Sequence, residues 1–350
     1  MKKAKVSLRE IATAAGVSIG AVSQILNNDP RNYSRAEVKE KVRAIAMELG
    51  YRQSFGDQLV RGEATPTVVL LMPGQLAWGE EHLAQLGLRL VSEFEGMGYS
   101  CYMAELSGDG EANLKRTRDL IARGGKNFIF IGECVGFEQI ERIFIEEAIT
   151  YIGYAGSMAQ NSFRRSVIVD TGAAIAEQIK FFLDNGKSDF VQFLLRTRVE
   201  QKTEGKLDGL FRCFPAEEQA GLLKRHVVCF DEELDKGQNF ADYCYHLGAR
   251  LTSEELQRNP GRNGFLYMND LMAAGGASVL LAVGRKIGQD TYVAGFNDNI
   301  ISRFYPYPLS SANHNFEEMI SVMKTEIFQD KPVAKIIPAK AILRKGETIL

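Results

Sequence analysis

Little in this sequence belongs to a secreted or membrane-embedded chain. No apolar run approaches the roughly 20 residues that cross a bilayer. The opening residues, MKKAKVSLRE, carry positive charge with no apolar stretch behind it, so a secretory signal is not expected. The five cysteines, at 101, 134, 213, 229 and 244, are odd in number and form no Cys-x-x-Cys, which fits reduced thiols better than a disulfide framework. Enzyme signatures are missing too. The four histidines, at 82, 226, 246 and 314, show no metal-ligand spacing and no His-Glu-x-x-His. There is no Gly-x-Ser-x-Gly elbow, and ARGGK at 122–126 is too short for a phosphate loop and reads as a helix end. No catalytic residue, metal, cofactor or membrane partner is therefore expected.

What remains is a chain of 350 residues, 45% hydrophobic and 25% charged, the composition of a soluble globular protein with two or three cores. Its net charge of −2 hides an asymmetry. Residues 1–62 carry 11 Lys+Arg against 6 Asp+Glu, and the rest carries 31 against 38. A basic head on an acidic body suggests a polyanionic partner for the head, with a merely solvated basic surface as the alternative.

Two short helical patterns open the chain around a Gly-Val-Ser turn. Ser7 is placed to cap a helix whose apolar positions are Leu8, Ile11, Ala12 and Ala15. Gly16 turns the chain, Ser18 caps the next helix, and Val22, Ile25 and Leu26 point to the core. Ser34 and Glu37 have the spacing of a capping box for a third helix, with a stripe of Val38, Val42, Ile45, Ala46 and Leu49 ended by Gly50. Two helices joined by a short turn and braced by a third predict a helix-turn-helix, whose second helix enters a major groove about 12 Å wide. Gln24 then faces adenine N6 and N7, while Ser7, Ser18, Ser23 and Asn27 are phosphate or base contacts.

The stretches VSLREIATAAGVSIGAVSQILNN and VKEKVRAIAMELGYR resemble the head of the LacI/GalR family of bacterial transcription regulators. Glu10-Ile11-Ala12, Ala15-Gly16-Val17-Ser18, Val22-Ser23, Leu26-Asn27 and Leu49-Gly50-Tyr51 match the family pattern at fixed spacings. The resemblance implies a sequence-specific regulator, a repressor binding a pseudo-palindromic double-stranded operator as a homodimer in the bacterial cytoplasm. The departures fall on the reading face. Ala21 replaces the usual Thr, Gln24 the usual Arg, and Ile19 and Gly20 occupy the pair that sets base choice in relatives. In the linker the family carries Pro-Asn and a hinge helix with a minor-groove wedge. Here QSFGDQLVRGEATPT has Gln53 and Ser54 instead, and the wedge falls on Leu59 or Val60. Either a hinge that folds poorly, bends DNA less or uses Leu59 and Val60 in a shifted register, or a plain flexible linker, fits these residues.

From residue 66 strand and helix patterns alternate: PTVVLLMPG, SCYMAEL, NFIFIG, TYIGYAG, RRSVIVDTG, SDFVQFLL, HVVCF, FLYMND and TYVAGF, with amphipathic helices between. The alternation predicts doubly wound parallel sheets, and so many strands predict two lobes. The expected fold class is an all-α helix-turn-helix head followed by an α/β body, its two doubly wound parallel-sheet lobes of the periplasmic-binding-protein-like type I. The expected units are a head at 1–51, a linker at 52–65 and a body at 66–350. Lobe 1 takes about 66–168 and 315–343, and lobe 2 about 169–314 and 344–350.

The body is similar to the family's effector domain through VIVDTGAAIAEQIKFFLDNG, KLDGLF, FLYMNDLMAAGGASVLLAVGRKIGQDTYVAGFNDN and YPLSSANHNFEEM. That resemblance implies a small-molecule effector, carbohydrate among the candidates, in the cleft between lobes at the carboxyl ends of strands. Carried over by position, its contacts are Lys206, Asn269, Asn297 and His314. Trp78 is either a stacking partner for the ligand or a packed loop residue. Asp270 reads as the cap of the helix after it. A cleft that has lost its ligand, in a regulator answering to a protein partner, remains the alternative. The chain shows no heptad segment after LRKGETIL, so a dimer is expected.

Overall fold

Three helices are described in the amino-terminal unit, and two of them start where their capping residues dictate. Helix α1 (Leu8–Ala15) opens on a reciprocal box: the Glu10 amide donates to Ser7 Oγ at 3.3 Å, and the Ser7 amide donates to the Glu10 carboxylate at 2.7 Å. It ends at Gly16, whose φ of +73° is the left-handed conformation that glycine adopts without penalty. Helix α2 (Ile19–Leu26) follows Ser18, whose Oγ accepts from the Ala21 amide at 3.1 Å. Helix α3 (Ala36–Glu48) departs from expectation. Its N-cap is Arg35, with no side-chain cap, and no box forms between Ser34 and Glu37. Ser34 stands one residue too early, and its amide donates instead to Asn32 Oδ1 at 3.0 Å. Ile11, Ala12, Ala15, Val22, Ile25, Val42 and Ala46 form the buried core of this unit. Each large member contributes about 1.5–3 kcal/mol by leaving water.

The computed structural model describes residues 6–26, 29, 32–51, 67–73, 81–132, 134–155, 164–200, 204–214, 219–231, 239–329 and 334–344. Asn27, Leu59, Val60 and Trp78 lie outside the described residues. The chain divides into two units, Met1–Thr65 and Pro66–Leu350.

The second unit holds two parallel sheets. Its first half runs β1 (Thr67–Pro73), α4 (Glu81–Gly96), β2 (Ser100–Leu106), α5 (Gly110–Ala122), β3 (Asn127–Ile131), α6 (Phe137–Glu146), β4 (Thr150–Ala155) and β5 (Ser166–Asp170). Then come α7 (Thr171–Asp184), β6 (Phe190–Leu195), α8 (Arg196–Glu200), α9 (Gly205–Cys213), α10 (Gln219–His226), β7 (Val227–Phe230), α11 (Phe240–Arg258), β8 (Gly264–Leu266), α12 (Asp270–Ala282) and β9 (Tyr292–Ala294). The last elements are α13 (Ile300–Phe304), β10 (Ser311–Asn313), α14 (Phe316–Glu326), β11 (Ala334–Pro338) and β12 (Lys340–Ile342).

A six-stranded sheet has the order β11-β5-β4-β3-β1-β2 and a four-stranded sheet the order β7-β6-β8-β9, every pairing parallel. Apolar residues on both faces, such as Val68 to Leu71 and Phe128 to Ile131, suit strands covered by helices on each side. Strand β11 brings the chain back to the first sheet beside β5, whose pairing runs on to Asp170, past the 168/169 lobe boundary expected from sequence. Strands β10 and β12 form a small antiparallel joint. In the second lobe α11 and α12 cross so closely that a Cβ on Gly275 would overlap the Tyr245 carbonyl oxygen. ARGGK closes α5: Gly124 has φ +96° and the Gly125 amide donates back to Leu120 at 3.0 Å.

Candidate functional site

Of the face expected to read DNA, the described part includes the first turn of α2. Ser18, Ile19 and Gly20 are exposed, Ile19 to 48%, while Val22 and Ile25 anchor the opposite side. Space is open above Gly20, where an added Cβ would meet nothing nearer than Ser18 Oγ at 4.0 Å. Helix α2 has no acidic residue in its first turn, so its positive end is available to a phosphate. Ala21, Ser23 and Gln24 are half-buried, and Gln24 Oε1 accepts from Asn32 Nδ2 at 3.3 Å. Ser7 is exposed, but its hydroxyl also donates to Glu10 at 2.8 Å, so any contact it makes is shared with the cap. Asn32 and the nearly fully exposed Tyr33 were not expected from sequence.

In the second unit, three of the described effector candidates come together at the carboxyl ends of strands. His314, just past β10, lies at the centre. Its Nδ1 is 2.8 Å from the Tyr154 hydroxyl at the end of β4, and its Nε2 is 2.9 Å from Asn297 Oδ1 beyond β9. With the Asn297 oxygen facing it, Nε2 carries the proton and Nδ1 accepts from tyrosine. The His314 ring stacks on His82 from the first turn of α4, at 4.7 Å and 7°, and on Phe316 at 5.8 Å and 10°. Phe296 meets it edge-on at 5.2 Å. Lys206, on the first turn of α9, places its ammonium 4.5 Å from the centre of the Phe296 ring and donates to the Met268 carbonyl at 2.9 Å.

Burial and the Lys206 charge set the protonation here. Burial first, then Lys206, pushes His82 down to about 3. Burial, His82 and Lys206 hold His314 well below the ordinary histidine range. Both rings are neutral near pH 7, each with one donor and one acceptor nitrogen. The cluster joins groups from both sheets: His82 and Tyr154 from the six-stranded lobe, Lys206, Phe296 and Asn297 from the four-stranded lobe. A second contact crosses the same divide. The Glu81 carboxylate accepts from the Ile300 amide at 3.0 Å, capping α13, whose own N-cap Asn299 makes no side-chain cap.

Asn269 takes the capping role expected of Asp270. Asn269 is the helix cap: its Oδ1 accepts from the Met272 amide at 2.9 Å, and its Nδ2 faces Cys244 Sγ at 3.4 Å. Asp270 is fully buried one residue further on, too deep to cap. Its carboxylate accepts from the Asn299 amide at 2.7 Å and from Ser311 Oγ at 2.6 Å. Burial pushes it up to about 8 despite those two hydrogen bonds. It thereby fixes the loop that carries Asn297 and Asp298, two consecutive non-glycine residues at φ +95° and +50°. Asn297 and His314 thus bond directly, Lys206 lies against the Phe296 ring that meets His314 edge-on, and Asn269 is turned into the cap of α12.

Sequence reasoning passed over His82, Tyr154 and Phe296. Position was the available signal, since Tyr154 stands at the carboxyl end of β4 and His82 opens the helix that follows β1, on the side where ligands of open α/β sheets bind. No group of three or more His, Cys, Asp and Glu able to hold a metal occurs among the described residues.

Comparison with known proteins matches both units. The family described as bacterial regulatory proteins, lacI family, matches residues 7–54, and the periplasmic binding protein-like domain matches residues 179–328. The chain is similar to the HTH-type transcriptional regulator CelR of Thermobifida fusca, 23% identical over 91% of this chain and 89% of the relative. It is also similar to the HTH-type transcriptional repressor MelR of Bacillus subtilis (strain 168), 24% identical over 90% of this chain and 88% of the relative. Among solved structures, the lac repressor dimer bound to operator and the anti-inducer ONPF aligns with a TM-score of 0.72 at 18% identity, covering 97% of this chain and 98% of that one. A CelR–cellobiose complex aligns with a TM-score of 0.60 at 19% identity, over 97% and 99% of the two chains.

Proposed function

We propose that this chain, which belongs to the LacI family of bacterial regulatory proteins, is a transcriptional repressor that reads operator DNA with α2 and is switched by a small molecule held between the lobes of its body. The observation that carries the switch is the convergence of His82, Tyr154, Lys206, Asn297 and His314 from both lobes on one polar, ring-lined cluster. A ligand touching both sides stabilises one lobe arrangement over another, and only that difference in affinity moves the equilibrium. The ligand class we favour is a neutral carbohydrate. Stacked rings offer flat apolar faces, neutral imidazoles and amides offer paired donors and acceptors, and the similar CelR is solved with cellobiose.

The repressor works as a homodimer in the bacterial cytoplasm, each head reading half of a pseudo-palindrome, so that lobe rearrangement alters the spacing of the heads. Exposed Leu88 on α4 and, on the edge strand β2, Met103, which lies on the α4 side of the sheet, supply an apolar patch for the second copy. The Ser7, Ser18, Ile19, Gly20, Ala21, Ser23, Gln24 and Asn27 set contacts the duplex, with Leu59 or Val60 as the minor-groove wedge. Replacing either wedge residue with Ala reduces the bend angle of bound DNA; equal bending by both variants would remove the wedge.

One observation favours a second reading. His314 is already bonded on both ring nitrogens by protein groups, and Asn269 is tied into the α12 cap. A cleft satisfied from within suits a regulator that answers to a protein partner. Melting the purified chain against mono- and disaccharides separates the two. A sugar that raises Tm and changes DNA affinity supports the ligand switch, and a flat panel beside intact DNA binding supports the second reading.

A further inference from the structure

Gln24 is the only amide side chain on α2, and one end of it is already engaged. Asn32 Nδ2 donates to its Oε1 at 3.3 Å. An amide can be turned end for end with little change of shape, so the direction of such a bond needs an anchor. Here the anchor is the backbone. The Ser34 N–H can only donate, and it donates to Asn32 Oδ1 at 3.0 Å. Asn32 therefore turns its Nδ2 the other way, and the atom of Gln24 that meets this donor is its oxygen.

Asn32 is itself held firmly. It is buried to 8% exposure, its carbonyl accepts from Lys39 Nζ at 3.2 Å, and its amide donates to the Asp29 carbonyl at 3.0 Å. The loop between α2 and α3 thus reaches back to orient a side chain of the reading helix.

We infer that Asn32 is a specificity-determining residue: by holding Gln24 Oε1 it leaves Nε2 as the end offered to the groove, so that Gln24 selects guanine rather than adenine. A free glutamine amide matches adenine with both ends, its oxygen to N6–H and its nitrogen to N7. With the oxygen turned inward, the remaining donor suits an edge that presents acceptors alone. Guanine offers two, O6 and N7, whereas adenine sets an unmatched N6–H beside its N7. The inference rests on the reading of α2 as the recognition helix. It alters what the bare sequence suggests, since glutamine alone points to adenine.

The test is selection of binding sites from a randomised duplex pool by the full chain, carried out with wild type, Gln24→Ala, Asn32→Ala and Asn32→Asp, each checked for folding by circular dichroism. One base-pair position loses its preference in Gln24→Ala. Wild type prefers guanine there over adenine by about tenfold, at the lower end of one direct base contact. Asn32→Ala frees the whole amide and shifts that position to adenine. In Asn32→Asp the carboxylate accepts from the Ser34 amide with one oxygen and from Gln24 Nε2 with the other, which exposes Oε1 and shifts the position to cytosine or adenine.

Adenine preferred by wild type, no position that depends on Gln24, or folded Asn32 variants with the wild-type preference would each overturn the inference. If both Asn32 variants unfold, Gln24→Glu serves instead. Its carboxylate accepts from Asn32 and turns an acceptor to the groove, so the position moves from guanine to cytosine, and no change overturns the inference. Failure of wild type to enrich any sequence overturns the recognition-helix reading itself, a distinct result.

Discussion

Acidification unfolds the body through its buried histidines, and His82 allows the effect to be sized. A histidine in the unfolded chain titrates near 6.5, whereas folded His82 is held at about 3 by burial and by Lys206. Between those values the unfolded chain binds the proton and the folded chain does not, so stability falls as pH falls. From pH 7 to pH 5 the unfolded imidazole passes about 1.5 pH units below its own midpoint while the folded one stays neutral. At about 1.36 kcal/mol per unit this removes about 2 kcal/mol. His82→Phe keeps a ring against His314 and removes the titration. Urea unfolding of wild type and variant at pH 7 and pH 5 gives four free energies. The wild type loses about 2 kcal/mol more than the variant over that step. Asp270 is common to both proteins and cancels in the difference, and burial, the larger cause of the lowered His314 value, remains when His82 is replaced. Equal losses in the two proteins would refute the reasoning, because His82 would then be titrating normally in the folded chain.

Three further outcomes follow from the same geometry. Asp270 is raised to about 8 by burial, so the folded body holds a proton that the unfolded chain releases above about pH 4, and the Asp270 contribution to stability, opposite in sign to that of the histidines, declines as pH rises from there towards 8. Asp270→Asn flattens that decline, and parallel melting curves of wild type and variant across pH 5 to 8 would contradict it. Ile11→Ala removes a fully buried side chain from a three-helix core and costs about 2–5 kcal/mol, so sequence-specific binding is lost while the body's melting transition stays in place. Loss of the body transition as well would show that the two units do not fold separately. Gly275→Ala forces a Cβ into the Tyr245 carbonyl and separates α11 from α12. A destabilisation of about 3 kcal/mol or more is expected by denaturant titration, and a neutral result would mean that the helices cross less closely than described.

The architecture was legible in the sequence because periodicity and turn chemistry agreed along most of it. Ser7, Gly16, Ser18 and Gly50 stand at the helix ends their chemistry favours, and the apolar runs from 67 to 73 and 127 to 131 became central strands. Where two adjacent residues competed for one role, sequence alone did not decide. Asn269 and Asp270 both cap helices well, and the outcome turned on depth, a tertiary property that left the shorter path to Asn269 and drew Asp270 onto Ser311 and Asn299. Ser34 lost its cap for a related reason, because Asn32 holds its amide in the loop. The candidate cleft was half visible. Family positions led to Lys206, Asn297 and His314, but His82 is more than a hundred residues away from each of them and Tyr154 more than a hundred from Asn297 and His314. Only the return of the chain between sheets brings them into contact.

The most direct test of the account is the affinity of the full chain for a selected duplex, measured by fluorescence anisotropy with and without each sugar of the melting panel, and repeated against a scrambled duplex. The account predicts binding at least about a thousandfold tighter to the selected sequence, the lower bound for specific recognition. It also predicts that one sugar changes that affinity at least about fivefold, as a coupling of about 1 kcal/mol requires. Equal affinity for both duplexes would contradict the assignment of α2 as a reader of sequence. Specific binding that no sugar alters, beside a flat melting panel, would contradict the carbohydrate switch.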